Sequence, residues 1–291
     1  MGRICAGAVR TLDIEHWLRG LQNETGAPLA DSTKAKIRTI FSVIFNHGIR
    51  CEWLEQGKNP VLLVRQSARR KHVPTVLEAH EVQSLLSQLE HQFRLMVMLA
   101  VTTGLRRSEL FGLQWCDVDF VGLEISICRS VYQGSVGQCK TEASRQPVPI
   151  TERMAADLWI WKETTQYSRS RDWIFASRKD AGRHPMWPGI VLQKIIRPAA
   201  SRAGISKRFG WHTFRHTYST LLIANGENVK VVQELMRHAS SHFTLQIYSQ
   251  AQNRTKRAAQ ARLAEQLIPE ETWSALPELV ADDESNGSAS I

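Results

Sequence analysis

No run of apolar residues in this chain approaches the ~20 that a membrane-spanning helix needs. The first ten residues, "MGRICAGAVR", lack the apolar stretch of a signal peptide, and Ala6 stands where a myristoylation site requires Ser or Thr. Cysteine is sparse as well. The five present (Cys5, Cys51, Cys116, Cys128, Cys139) are odd in number, scattered and never spaced C-x-x-C. That argues against a disulfide framework and against a cysteine-rich zinc site, and it suits a reducing compartment. Internal repeats are missing too. A soluble, cytosolic protein with no membrane partner is expected.

Charge of one sign is missing from two stretches. From Pro269 onward there are six acids (Glu270, Glu271, Glu278, Asp282, Asp283, Glu284) and no Lys or Arg. Taking those six from a net charge of +9 leaves the first 268 residues at +15. A body that basic points to a polyanion, and nucleic acid is the usual one; composition alone equally allows a merely basic soluble protein. The acidic tail 269–291, ending in Ser, Asn and Gly, reads as disordered. Acids are also missing from "NPVLLVRQSARRKHVP", which carries Arg65, Arg69, Arg70 and Lys71 between Pro60 and Pro74. This reads as an interdomain linker able to lie along a phosphate backbone, the alternative being a solvated loop.

With 291 residues and a hydrophobic fraction of 43%, there is room for two domains with real cores. In the first 60 residues the apolar spacing predicts two helices. "TLDIEHWLRGLQ" has Thr11 as its cap and Leu12, Ile14, Trp17, Leu18 and Leu21 on one face. "DSTKAKIRTIFSVIFNHGI" turns Ile37, Ile40, Phe41 and Ile44 inward. Beyond residue 73, Thr75 and Glu78 have capping-box spacing. An apolar helix then breaks at Gly104, and a second helix follows. "LEISI" and "RQPVPI" read as strands, with "GSVGQCKTEAS" as the turn region between them. The rest is helical through "MAADLWIWKETT", "IVLQKIIRPAASRAG", "GWHTFRHTYST", "VKVVQELMRHAS" and "NRTKRAAQARLAEQL".

The third of these segments poses a chemical choice. His212 and His216, four apart, share a helical face on which zinc could be gripped. His212 and Arg215 share one on which a phosphate could be gripped. In a zinc metallopeptidase helix the residue after the first histidine is a glutamate general base, whereas here it is Thr213. His238 and His242 repeat the spacing, again without a neighbouring acid. Phosphate is favoured, and His216 becomes a packing residue beside the site.

Cleaving a phosphodiester without a metal needs bidentate cations for the non-bridging oxygens, a side-chain nucleophile and a general acid for the leaving oxygen. Arg106, Lys140, His212, Arg215, His238 and Tyr248 are candidates, each weak alone. As an ordered set, "TGLRRSELFGLQWCDVD", "KTEASRQPVPI", "HTFRH" and "ELMRHASSHFTLQIYSQ" resemble the catalytic domain of the tyrosine recombinases, the phage-integrase family. The resemblance covers roughly residues 73 to 265.

It implies a mainly α fold with a small antiparallel, three-stranded β-sheet, in two domains. An abbreviated helical core-binding domain (1–64) and a basic linker (65–72) would precede the catalytic domain (73–268) and the tail. It implies Arg106 and Arg215 on the phosphate, with Glu109 buttressing the arginine site. Lys140 would protonate the leaving 5′ oxygen, His212 would assist proton transfer, and His238 would donate a hydrogen bond to a phosphate oxygen. Tyr248 would be the nucleophile, forming a 3′-phosphotyrosine bond. Arg107 faces away from Arg106 and is expected on the DNA backbone, with Arg65, Arg69, Arg70 and Lys71. The implied substrate is double-stranded DNA with paired recombinase sites, two protomers on each, forming a homotetramer in synapsis from monomers in solution. Directionality or host accessory proteins could assist; no metal or other cofactor is implied.

The nearest rival within this chemistry is a type IB topoisomerase; a rival of another class is a catalytically idle DNA-binding protein of the same fold, and a metal-dependent nuclease is a distant third. Two departures stand out. The family often has glycine before the second-last motif histidine, where this chain has Arg237, expected to add positive charge near the DNA backbone. The family's core-binding domain usually has about four helices, where residues 1 to 60 offer two.

Overall fold

A computed structural model describes residues 5–67, 74–138 and 146–237. The chain divides into two compact units, Met1–Pro74 and Thr75–Ile291. No helix among the described residues is long and apolar enough to cross a membrane.

The first unit is built on α1 (Thr11–Arg19) and α2 (Asp31–Arg50). Thr11 is not the cap. Arg10 holds that position, its N–H donating to the Asp13 carboxylate at 3.1 Å, and the Thr11 hydroxyl donates to the Pro60 carbonyl at 2.8 Å. Ile14, Leu18, Phe45, Val61 and Val64 form the core. Val61 and Val64 thus lie in this core, ahead of the basic stretch that begins at Arg65. The buried Asn59 fixes that return, accepting from Val61 N–H at 2.9 Å and donating to Asn46 at 2.7 Å. Leu12, Ile40 and Ile44, which periodicity turns inward, are exposed, and Trp17 lies against Phe41 at the rim with ring centroids 4.8 Å apart. Two helices cover only a narrow stripe of each other, so the wide apolar faces stay partly open.

The second unit opens with α3 (Ala79–Ser87), three residues beyond the expected start. Its cap is Glu78, whose N–H donates to Glu81 at 2.7 Å, while Thr75 takes no part. The apolar helix α4 (His91–Thr103) buries Leu95, Met96, Val97, Leu99 and Ala100 at the centre of the core. It ends at Gly104, at φ 60, where a Cβ would sit 2.5 Å from the Tyr218 ring. Glycine is thus required there both by the left-handed backbone and by space. The short α5 (Arg107–Leu110) follows.

Strands β1 (Val118–Asp119), β2 (Glu124–Ile125) and β5 (Val148–Pro149) form a three-stranded antiparallel sheet in the order β1-β2-β5. Between β2 and β5 the chain departs from the expected turn region. β3 (Arg129–Tyr132) and β4 (Ser135–Gln138) pair as a two-stranded ribbon, joined at Gln133 and Gly134, both at positive φ as a primed hairpin turn demands. "GSVGQ" is thus mainly strand. Every residue of β4 is exposed, so no hydrophobic alternation marked it.

Helix α6 (Glu152–Thr164) is capped by the Thr151 hydroxyl, which accepts from Met154 N–H at 3.2 Å. The next helical stretch runs through α7 (Pro188–Val191), a π-helical turn (Leu192–Ile196) and α8 (Arg197–Arg202). Pro198 lacks an N–H to donate one turn back, and the widened turn absorbs that loss. α9 (Trp211–Ala224) and α10 (Val229–Leu235) complete the described chain.

Candidate active site

The site forms where three helix ends meet: the C-terminus of α4, the N-terminus of α5 and the C-terminus of α10. Helix C-termini present carbonyls with no partner inside the helix, at the negative end of the dipole. Arg215, buried on α9, answers two of them, donating through Nη1 to the Gly104 carbonyl and through Nη2 to that of Met236. Burial, and then repulsion from Arg106, push its pKa down to about 9, so it still carries its charge at neutral pH.

Arg106 caps α5. Its backbone N–H donates to one Glu109 oxygen at 2.9 Å and its Nη1 to the other at 2.7 Å, while the Glu109 N–H donates back to the Arg106 carbonyl at 2.9 Å. Its side chain remains one-third exposed. Glu109 is buried. Burial works to raise its pKa, but the guanidinium of Arg237 and the bonds from Arg106 outweigh that and hold it below the ordinary range.

His212 sits in the first turn of α9 with its surface exposed. Its pKa is lowered by partial desolvation and by repulsion from Arg107, Arg215 and Arg106. The arginines are the stronger physical reason, since an exposed ring keeps most of its water. They also bear on the choice between zinc and phosphate: positive charge of this density repels a dication and attracts an anion. Thr213 has its own task, its hydroxyl accepting from Gly210 N–H at 3.2 Å to close the start of α9. A glutamate general base is replaced by a helix cap. His216 is half-buried one turn further on.

Arg237 requires a correction. It was expected to add charge near a DNA backbone, but its side chain is only 2% exposed and donates through Nη2 to Glu109 at 2.6 Å. Tyr218, which the motifs did not single out, also borders the cluster. It packs on Gly104, and its pKa is raised by burial, with Arg215 and Arg237 offsetting part of the rise. The structure therefore brings together Arg106, Glu109, His212, Arg215 and Arg237, with Arg107 exposed at the margin. Four arginines against one glutamate leave that neighbourhood at +3. Lys140, His238 and Tyr248 lie outside the described residues, as do Arg69, Arg70 and Lys71. Arg65 is exposed, its N–H donating to Glu15 at 2.9 Å.

Residues 75–255 match the family model described as "Phage integrase family". The chain belongs to that family. This integrase-family chain has relatives in sequence and in fold. A tyrosine recombinase of Pseudothermotoga lettingae is 30% identical over 238 residues, 80% of this chain and 75% of that one. The tyrosine recombinase XerD of Staphylococcus epidermidis is 27% identical over 233 residues, covering 76% of this chain and 73% of the relative. In fold, the chain is similar to the Tn1549 transposon integrase solved in complex with transposon right end DNA, with a TM-score of 0.71 and 21% identity over 90% of this chain and 88% of that one. A lambda integrase dimer bound to a COC′ core site gives a TM-score of 0.62 at 22% identity, covering 85% and 82%. The expected mainly α recombinase fold with small antiparallel sheets is the one observed. The integrase-family chain is accordingly a tyrosine-type site-specific recombinase.

Proposed function

We propose that this recombinase breaks and rejoins DNA strands by direct transesterification on a tyrosine. Arg106 and Arg215 hold the non-bridging oxygens of the scissile phosphate. The Tyr248 oxygen attacks phosphorus, forming the tyrosyl–phosphorus bond and breaking the bond to the 5′ oxygen. The phenolic proton leaves through His212, and Lys140 supplies a proton to the departing 5′ oxygen. His238 donates a hydrogen bond to a phosphate oxygen. Attack by a 5′ hydroxyl of a second duplex reverses the step on a new strand, which requires two protomers on each of two sites, a tetramer in synapsis. The observation that carries this reading is the convergence of Arg106 and Arg215, from different elements, on one helix-end junction with Glu109 beneath them.

The two guanidiniums stabilise the charge that a divalent cation would otherwise meet. Cleavage should therefore persist in excess EDTA. The substrate is a nicked duplex carrying the sequence that the full chain selects from a random library, and the readout is a covalent protein–DNA band. A band lost in EDTA and restored by Mg²⁺ or Zn²⁺ would sink the proposal. Relaxation of plasmid without transfer between two duplexes would instead mark a topoisomerase.

The linker basics add sequence-independent affinity by neutralising phosphates. Replacing Arg65, Arg69, Arg70 and Lys71 with Gln should flatten the log–log salt dependence of DNA binding by about 0.9 for each phosphate no longer neutralised. Fluorescence anisotropy over a salt series reads this directly, and an unchanged slope returns the segment to a solvated loop.

A further inference from the structure

We propose that Arg237 is a positioning residue of the active site, taking up the charge of Glu109 so that Arg106 remains available to the phosphate; the inference rests on the strand-cleaving reading above. The residue is costly in two ways. Its backbone lies at φ 50, a left-handed conformation that a helix end ordinarily gives to glycine or asparagine. Its charged side chain is only 2% exposed. Neither cost is needed to end a helix. The charge is met by a 2.6 Å bond to a glutamate that is itself 3% exposed and lies 128 residues earlier in the chain.

Charge balance shows what that bond does. Glu109 alone with Arg106 is a neutral pair, and an incoming phosphate must compete with the carboxylate for the same guanidinium. Glu109 held between two guanidiniums leaves one positive charge in excess. The two oxygens divide the work. One takes Nη1 of Arg106 at 2.7 Å, and the other takes Nη2 of Arg237 at 2.6 Å together with the backbone N–H of Arg106 at 2.9 Å. The turn that carries Arg237 also orients both phosphate-facing cations. The Met236 carbonyl accepts from Arg215, and the Arg237 carbonyl accepts from Nη2 of Arg106 at 3.4 Å. Pinning this turn to Glu109 pins Arg106 and Arg215 with it.

The charged and titratable groups around Glu109 bear on how its loss would read out. Arg107 lies on its own helix, and Arg106 caps it. His212, Arg215 and Tyr218 lie on α9, and Arg237 follows α10. Arg129 lies on β3, already paired with Asp117 at 2.5 Å. Of these, Arg237 and Arg106 are the groups that hold Glu109 below the ordinary carboxylate range against its burial. Removing Arg237 lets that carboxylate protonate at a higher pH, and protonation ends its competition with the phosphate for Arg106. The cleavage deficit left by removing Arg237 must then shrink as pH falls.

The test compares wild type, Arg237→Gly and Arg237→Lys as full chains on the nicked selected duplex under single-turnover conditions across pH. Glycine suits φ 50 better than arginine, so the fold should hold; Arg237→Asn, neutral and also at ease there, serves if the glycine variant melts early. We expect Arg237→Gly to bind the duplex normally, to cleave at least about tenfold more slowly near neutral pH, and to regain part of that loss relative to wild type as pH falls. Arg237→Lys should recover part of the rate near neutral pH. Wild-type rates at every pH in Arg237→Gly overturn the proposal. So does an equal loss in both variants that stays the same at every pH, which marks a merely structural residue. If wild type itself forms no adduct, it is the strand-cleaving reading that fails.

Discussion

Tyr248→Phe should bind the selected duplex as wild type does and form no covalent adduct at all. Attack on phosphorus needs an oxygen nucleophile that can lose its proton. A free tyrosine, with a pKa of about 10, is only about one part in a thousand phenolate at neutral pH. Opposite charge close by is the ordinary remedy. Of the four tyrosines, Tyr132 is exposed on the β-ribbon, and Tyr167 packs against the small cluster of Val131, Trp173 and Ala176. Tyr218 borders the arginines, yet burial raises its pKa and its ring is committed to packing on Gly104. Tyr248 follows His238 by ten residues, the spacing that the family motif gives its nucleophile, and it lies outside the described residues. A nicked suicide duplex, which loses its 5′ fragment after cleavage, traps the intermediate. Peptide mapping should then find DNA on Tyr248, and Tyr218→Phe should still be trapped. An adduct formed by Tyr248→Phe would assign the nucleophile to another side chain.

The grouping of Arg106, His212 and Arg215 was legible because these residues are ordered along the chain. Arg106 follows the only residue that can end α4 in a left-handed turn with the Tyr218 ring 2.5 Å from where a Cβ would stand. His212 and Arg215 are one turn apart on α9. Spacing of that kind survives any tertiary detail. What failed was whatever depends on a distant partner. Arg237 reads locally as a surface charge, and its partner in the interior, Glu109, is far away in sequence. Leu12, Ile40 and Ile44 obey helical periodicity, but periodicity cannot say how much neighbour there is to cover a face. The caps slipped for a related reason. Thr75 and Thr11 have suitable side chains, yet Glu78 and Arg10 stand where the backbone turns, and each bonds through its own N–H to an acid three residues on. The ribbon β3–β4 carries no alternation because its second strand buries nothing.

Arg106→Ala and Arg215→Ala should both cripple cleavage, but only the second should also weaken the fold. In the proposed mechanism each removes a cationic donor from the phosphate, and loss of one such donor costs about 10²–10³ in rate where charge develops in the transition state. Their structural duties differ. Arg106 is one-third exposed, and when it goes Glu109 keeps Arg237 at 2.6 Å and the backbone N–H of residue 106. What disappears includes one partly solvated ion pair, worth about 1 kcal/mol or less, and the long 3.4 Å bond to the Arg237 carbonyl. Arg215 is buried, and its guanidinium satisfies the last carbonyls of two helices, at Gly104 and Met236. Alanine there leaves both carbonyls buried without that donor, at roughly 1–3 kcal/mol each. The same bonds hold the end of α4 to the end of α10, so the substitution should loosen the turn from which the chain continues to His238. Urea unfolding followed by tryptophan fluorescence, run beside single-turnover cleavage, separates the two effects. Arg215→Ala as stable as Arg106→Ala would mean that water reaches those carbonyls and that Arg215 holds nothing together. Cleavage at wild-type rate in either variant would remove that arginine from the phosphate site.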